Sequence, residues 1–411
     1  MLIDKSKQEI NELIIDWFNE YKNDNIYGFG MSDVIGQKTF FDCDLSDNEL
    51  SSEDKDIDNL HLLGFKADTH RKSPDFEKGF RIKAVFDNNP RIQNKSFHGI
   101  KVFAPSDILR LKKIKIVVFP RRYYTIKQQL EEYGLVEYVD FMYVNFFIAF
   151  SHYFVQNKVM LPKVTSCITT RCTLKCKDCN MFIPYHTKHE DIPHKDLVSD
   201  LDLLFSRVDY VQWFTILGGE PLLHRDLNKY IRYLEKYADR IAEIVIDING
   251  SVVPSDSLLE YAGRLGNIRI MVNNYKLGES YNKRYFETVD KLKLSGVSYT
   301  LREYEWNLFK RDDAILDSNE LQEHYIRCNQ PFIAFQNKRL YACHLSWSTS
   351  TCGLGNDDPQ DYLDFSCNSM DSFDIVKAGL GHLQRGYASL CAVCNGCDPY
   401  YHMSIQKAVQ I

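Results

Sequence analysis

The sequence predicts an α/β protein whose central part is a parallel strand–helix array built around cysteine chemistry. Three observations predict it. Between about residues 160 and 320, short apolar runs alternate with helical patterns of about ten residues, the signature of parallel βα units. The stretch TTRCTLKCKDCNMF, residues 169–182, sets Cys172, Cys176 and Cys179 close together. Some forty residues later an apolar strand, Val211 to Leu217, runs into Gly218-Gly219-Glu220-Pro221.

The frame is a chain of 411 residues, enough for two or three domains with cores of their own. A hydrophobic content of 44% with 13% aromatics describes packed globular structure, and a net charge of −6 argues against a nucleic-acid surface. No apolar run reaches the ~18–20 residues that span a bilayer. The first segment, MLIDKSKQEINELIIDWFNEY, reads as an amphipathic helix rather than a signal peptide, because charge interrupts its apolar positions. A cytoplasmic location with reduced thiols follows as the expectation, so 12 cysteines point to metal or redox chemistry rather than disulfides.

Residues 1–155 are expected to form a domain of their own. NIYGFGMSD places Gly28 and Gly30 after a short strand, and IKAVFDNNP reads as a strand ending at Asp87. A strand KIKIVVF then leads to a helix opened by Thr125. That order resembles the Rossmann-like domains fused to sugar-nucleotide and surface-polysaccharide enzymes. The wide, acidic interval between Gly30 and Asp87 departs from the pattern, so a docking or purely structural domain is the competing reading. FSHYFVQNKVM links this domain to the next.

From 156 to 320 the elements follow in order. The strand MLPKVTSCITT precedes the cysteine run, a helix spans Lys195 to Val208, and the GGEP strand is followed by a helix through Tyr237. EIVIDING, IRIMVNNY and VSYTLREYEW read as further strands, separated by the helix SDSLLEYAGRLG and one near Phe286 to Leu294. Ligands of parallel arrays sit at the carboxyl ends of the strands. That rule brings Cys172 to Cys179, Gly218 to Pro221, Asn249 and Asn273 to one mouth, where Tyr185, His186, Glu303, Tyr304 and Trp306 are pocket candidates. For the asparagines, loop capping is the plainer alternative.

Three closely spaced thiols without a fourth at knuckle spacing do not complete a structural zinc tetrahedron, although Cys167 or His186 would close one. A 4Fe–4S cube held by three thiolates keeps one iron open for another ligand. Together, the C-x3-C-x2-C run and GGEP, in that order, resemble the radical S-adenosylmethionine (radical SAM) superfamily. The resemblance implies a partial (β/α)6 barrel, a 4Fe–4S cluster on Cys172, Cys176 and Cys179, and SAM bound at its open iron. It places Gly218, Gly219, Glu220 and Pro221 beside the SAM ammonium, with Asn249 and Asn273 as further SAM contacts.

Residues 321–411 are expected to form a small cluster-binding domain. Cys328 and Cys343 flank a hairpin pattern, and CAVCNGC supplies Cys391, Cys394 and Cys397. This resembles the Twitch/SPASM extensions of radical SAM enzymes, and implies a second, auxiliary 4Fe–4S cluster on Cys328, Cys343, Cys391 and Cys394. Cys397 is a competing fourth ligand, since it also forms a CxxC with Cys394; a zinc ribbon on the same positions is the bland alternative. Cys43, Cys167, Cys352 and Cys367 read as ordinary thiols.

The resemblance further implies a flavodoxin- or ferredoxin-type reductant, reductive cleavage of SAM to a 5′-deoxyadenosyl radical, and hydrogen abstraction from a substrate carbon. Oxidation or epimerisation of a sugar or sugar-derived metabolite is the preferred reading, with Cys397 as the candidate hydrogen donor in the redox-neutral case. Modification of a ribosomally made peptide is the second reading, and a non-catalytic zinc scaffold the remote one. No nucleic-acid or membrane partner is expected.

Overall fold

The computed structural model describes residues 10, 12, 17, 26–30, 82–97, 100–119, 123–303, 306–310, 313–315, 317–328, 333–396 and 404–411. Tyr304 and Cys397 lie outside the described residues. The chain divides into two compact units, Met1–Gln156 and Asn157–Ile411.

The first unit is built on a six-stranded sheet in the order β3-β4-β2-β1-β5-β6, from β1 (Ile26–Phe29), β2 (Ile82–Phe86), β3 (Ser96–Phe97), β4 (Ile100–Phe103), β5 (Lys115–Val118) and β6 (Phe141–Tyr143). Every pairing except β3 with β4 is parallel. Helices α1 (Tyr123–Glu132) and α2 (Val144–Phe150) follow β5 and β6, α1 beginning two residues ahead of Thr125. One face of the sheet is packed by Tyr27, Phe29, Phe86, Ile116, Val118, Leu130 and Phe141. Packing also explains Gly28: a Cβ there would stand 2.6 Å from the Phe119 ring and 3.1 Å from Val85. Asp87, almost fully buried, accepts the Asn89 N–H at 2.7 Å and so caps its own turn.

The second unit carries an eight-stranded sheet in the order β11-β10-β9-β8-β7-β13-β14-β15. Its strands are β7 (Met160–Cys167), β8 (Tyr210–Leu217), β9 (Ile241–Ile248), β10 (Ile268–Asn273), β11 (Ser298–Arg302), β13 (Ala334–Gln336), β14 (Arg339–Tyr341) and β15 (Tyr362–Asp364). A separate pair joins β12 (Trp306–Asn307) to β16 (Ser404–Ile405). Strands β7 to β11 run parallel in sequential order. The sixth parallel strand, β13, comes from the hairpin segment and joins on the β7 side, Ala334 opposite Thr165. Residues on both sides of 320 therefore share one sheet and one unit.

Helices α3 (His194–Phe205), α4 (Leu227–Leu234), α5 (Asp256–Leu265) and α6 (Gly278–Ser295) connect the parallel strands. Each buries residues at helical spacing, as Leu197, Leu201 and Leu204 do on α3, or Leu258, Ala262 and Leu265 on α5. The Ser255 hydroxyl caps α5 by accepting the Leu258 N–H, and Gly266 at φ +73° ends it. Beyond the parallel array lie α7 (Ser318–Arg327), α8 (His344–Cys352) and α9 (Ser372–Gly379). Asn337 and Lys338, at φ +52° and +64°, form the two-residue turn between β13 and β14, matching the twist of a tight hairpin.

Candidate functional site

The cysteine loop leaves β7 and is stitched to the turn that leaves β8. Ile168 donates its N–H to Leu217, Gly219 to Thr169 and Glu220 to Arg171, each at 2.8 Å. This is why both glycines are required. A Cβ on Gly218 would meet the Thr169 carbonyl at 2.5 Å, and one on Gly219 the Arg171 carbonyl at 2.3 Å and the Cys172 Cβ at 2.9 Å. The close approach is that of the chain to itself.

Glu220 is fully buried. Its carboxylate accepts the N–H of Leu222 at 3.0 Å and of Asn249 at 2.8 Å, linking the end of β8 to the end of β9. Burial pushes this carboxyl up to about 8, against the pull of those two donors. Asn249 carries the connection onward. Its Nδ2 lies 3.5 Å from Cys172 Sγ and 3.1 Å from Thr173 Oγ1, while its Oδ1 accepts from the N–H and hydroxyl of Ser251. Thr173 and Ser251 hydroxyls hydrogen-bond to each other. The Tyr281 hydroxyl sits 2.8 Å from the Asn249 carbonyl and 2.9 Å from that of Asn273, and accepts the Tyr275 N–H. One tyrosine thus ties the carboxyl ends of β9 and β10 together.

Two sulfurs of the loop are met by N–H groups. Cys172 Sγ receives the Leu174 N–H at 3.4 Å, and Cys176 Sγ the Gln410 side-chain amide at 3.2 Å. Burial raises the Cys179 thiol, with the backbone N–H groups of Ile183, Met181 and Phe182 pulling the other way, and the Phe182 N–H donates to the Cys179 carbonyl at 2.8 Å. Burial pushes the thiols up, Cys172 to about 12 and Cys176 to about 11, with the neighbouring thiols adding in the same direction. Met181, Ile183, Tyr341 and Trp347 pack against Cys172 and Cys179 as an apolar wall.

The second set of thiols is gathered from three elements. Cys328 ends α7, Cys343 precedes α8, Cys391 lies in the short 3-10 turn Ser389–Val393, and Cys394 follows it. Cys328, Cys391 and Cys394 each push Cys343 further up by their proximity, beyond what burial does. The Gly396 N–H reaches Cys394 Sγ at 3.3 Å. Asp361 pins this turn: it accepts the Ser389 N–H at 2.8 Å and hydroxyl at 2.5 Å, and pairs with Arg385, which also holds Asp358 at 2.7 Å. Helix α8 touches both sets, following Cys343 directly and donating from the Ser348 hydroxyl to the Met181 carbonyl. Among the described residues, no group of three or more His, Cys, Asp and Glu side chains has the geometry to hold a metal ion.

The remaining candidates separate. Asn273 turns its amide onto Asp247 at 2.5 Å and Ile248 at 3.0 Å, leaving a buried Oδ1 without a partner among the described residues. His186 is buried with Nε2 similarly unpartnered, whereas Tyr185 is exposed and donates to the Lys177 carbonyl at 2.8 Å. Glu303, exposed at the end of β11, is taken up by Lys276 at 2.7 Å and Asn274 at 2.9 Å. Trp306 meets the Tyr275 ring edge to face, with centroids 5.4 Å apart. Thr173, Ser251, Tyr281, Asp361 and Gln410 had no signal in the sequence as site residues. Each has at least one partner 28 or more positions away, as Asp361 has in Ser389.

No family model and no curated protein matches the chain. Solved structures do. BtrN, in complex with AdoMet and 2-DOIA, is similar over 61% of this chain and 97% of its own, at 16% identity and a TM-score of 0.38. anSMEcpe with bound AdoMet and the Kp18Cys peptide is similar over 61% of this chain and 92% of its own, at 11% identity and a TM-score of 0.37. SuiB from Streptococcus suis, bound to the precursor peptide SuiA, aligns over 44% of this chain and 37% of its own, at 18% identity and a TM-score of 0.29.

Proposed function

We propose that the chain is a radical SAM enzyme in which Cys172, Cys176 and Cys179 hold a 4Fe–4S cluster with one open coordination position. The observation that carries this reading is the joint construction of the two motifs. Backbone bonds from Gly219 and Glu220 to Thr169 and Arg171 make the cysteine loop and the GGEP turn one assembly at the carboxyl ends of β7 and β8. The donor set suits such a cluster, because the sulfurs of Cys172 and Cys176 accept N–H groups of the kind that stabilise ligating thiolates. When bound, the cluster and SAM supply a 5′-deoxyadenosyl radical that takes a hydrogen atom from substrate.

This chain's own residues prepare and guard that site. The Gly218–Pro221 turn presents backbone groups beside the loop for the SAM ammonium. The side-chain Oδ1 of Asn273, buried without a partner among the described residues, is an acceptor for SAM, and Asn249 is committed to holding the loop. The wall of Met181, Ile183 and Trp347 excludes water, which protects a reactive radical. Cys328, Cys343, Cys391 and Cys394 hold a second 4Fe–4S cluster, supported by their mutual proximity. A flavodoxin- or ferredoxin-type protein is the electron donor.

The substrate in this reading is a sugar or sugar-derived metabolite, and the reaction its oxidation. Asn274, Lys276 and Glu303, with the rings of Tyr275 and Trp306, place hydrogen-bonding groups next to flat apolar faces at the ends of β10 and β11, a combination suited to a hydroxylated ring. Anaerobic reconstitution is expected to load roughly eight irons per chain, two cubes. Cys172→Ala, Cys176→Ala and Cys179→Ala together are expected to leave about half of that iron and no formation of 5′-deoxyadenosine. Retained SAM cleavage in that variant would sink the reading. Oxidation consumes one SAM per turnover and tolerates Cys397→Ala; a redox-neutral epimerisation would instead lose product in that variant while SAM cleavage continued.

A further inference from the structure

Residues 404–411 belong to no motif named above, yet they run from one edge of the parallel array to its cysteine loop. At one end β16 pairs antiparallel with β12, Ile405 opposite Trp306, just beyond the carboxyl end of β11. At the other end, Lys177 donates its N–H to the Val409 carbonyl at 2.7 Å and Ile411 donates to the Lys175 carbonyl at 2.9 Å, with Cys176 and Gln410 bridged antiparallel between them. The segment is a strap pinned at both ends.

The Gln410 side chain lies across that pairing. Its Oε1 accepts the Lys175 N–H at 2.8 Å, and its Nε2 donates to the Ala408 carbonyl at 2.6 Å and faces Cys176 Sγ at 3.2 Å. The environment fixes the orientation of the amide, since the Lys175 N–H demands an acceptor and the Ala408 carbonyl a donor. The second amide hydrogen is thereby left for the sulfur of Cys176, which is itself only 6% exposed. An N–H aimed at a ligating sulfur is worth more when the cluster carries an extra electron, because the charge it faces is larger.

We propose that Gln410 is a positioning residue for the first cluster: its amide donates to the Cys176 sulfur and raises the cluster's reduction potential, while the strap holds the loop that carries it. The proposal rests on the radical SAM reading. Two variants of the full-length, reconstituted protein test it. Gln410→Glu keeps an acceptor for Lys175 but removes the donor, and Gln410→Met removes the donor without adding charge.

The reading is the midpoint potential of the cluster whose reduced EPR signal changes on adding SAM. Both variants are expected to keep their iron and their SAM response, with the reduced-to-oxidised ratio at a fixed poise down about tenfold, equal to about 59 mV for a one-electron couple. Hydrogen exchange in cluster-free protein is expected to show the Lys177 amide still protected, because its acceptor is the Val409 backbone. An unmoved midpoint in both variants overturns the role of Gln410. Loss of iron from both overturns it too, since the amide would then serve assembly rather than potential. Absence of any SAM-responsive signal in the wild type is a different failure, that of the radical SAM reading itself.

Discussion

A methyl group at position 219 would stand 2.3 Å from one carbonyl oxygen and 2.9 Å from the Cβ of a proposed cluster ligand, so nothing flexible is available to move aside. Gly219→Ala is therefore expected to cost at least ~1–3 kcal/mol by overpacking, and to lower iron bound at Cys172, Cys176 and Cys179, read by thermal melting and iron analysis. Gly263 on α5 is the control. Its added Cβ would come no closer than 3.9 Å to any neighbour, so Gly263→Ala should be neutral or stabilise by up to ~1 kcal/mol through helix propensity. Equal effects at the two positions would refute the account of the GGEP glycines as contact-driven.

At the scale of elements, two carboxylates anchor loops from a distance. Asp200 on α3 accepts the N–H groups of Asn337 and Lys338 at 2.8 and 2.9 Å, holding the turn between β13 and β14. Burial outweighs those donors and pushes its carboxyl up from 3.8 to about 6. A carboxyl raised on folding is protonated more readily in the folded state, so its contribution is fully present below about pH 4 and lost as pH rises through about 6. The wild type should lose up to ~3 kcal/mol over that window relative to Asp200→Asn, followed by urea unfolding; parallel pH profiles would contradict it. Asp361 makes the second anchor, with a side chain only 2% exposed against Arg385. Arg385→Leu leaves that carboxylate buried and unpaired, at a cost of ~3–5 kcal/mol. Because Asp361 pins the turn bearing Cys391, the variant should lose the second cluster's iron and keep the first. Full iron retention would show that the turn holds without the pair.

For the whole molecule, the division at Gln156 and Asn157 separates two sheets, each with its own parallel core. Hairpin residues 334–341 sit in the same sheet as the parallel strands, so the unit 157–411 keeps the second sheet intact. That fragment is expected to express as a folded protein that binds iron at both thiol sets. A fragment ending at 320 should not, since it exposes the β7 edge that β13 covers. Solubility and iron content of the two fragments decide the matter. No described helix is long and apolar enough to cross a membrane.

What the sequence determined by itself was local. Apolar runs at strand spacing, helical stripes such as Leu197, Leu201 and Leu204, the cysteine run and the GGEP turn were all legible, because each is encoded by residues within one turn or one strand of each other. Asn337 and Lys338 completed a hairpin whose place in the order was readable, but not that it would extend the sheet beside β7. Tertiary structure alone decided the rest. The GGEP glycines stand against the chain's own Thr169 and Arg171, and the carboxylate of Glu220 is taken by backbone N–H groups of Leu222 and Asn249. Gln410 meets Cys176 across 234 positions of sequence. Side-chain hydrogen bonds reach about 3 Å whatever the separation along the chain, so a partner that distant leaves no periodicity or spacing to read.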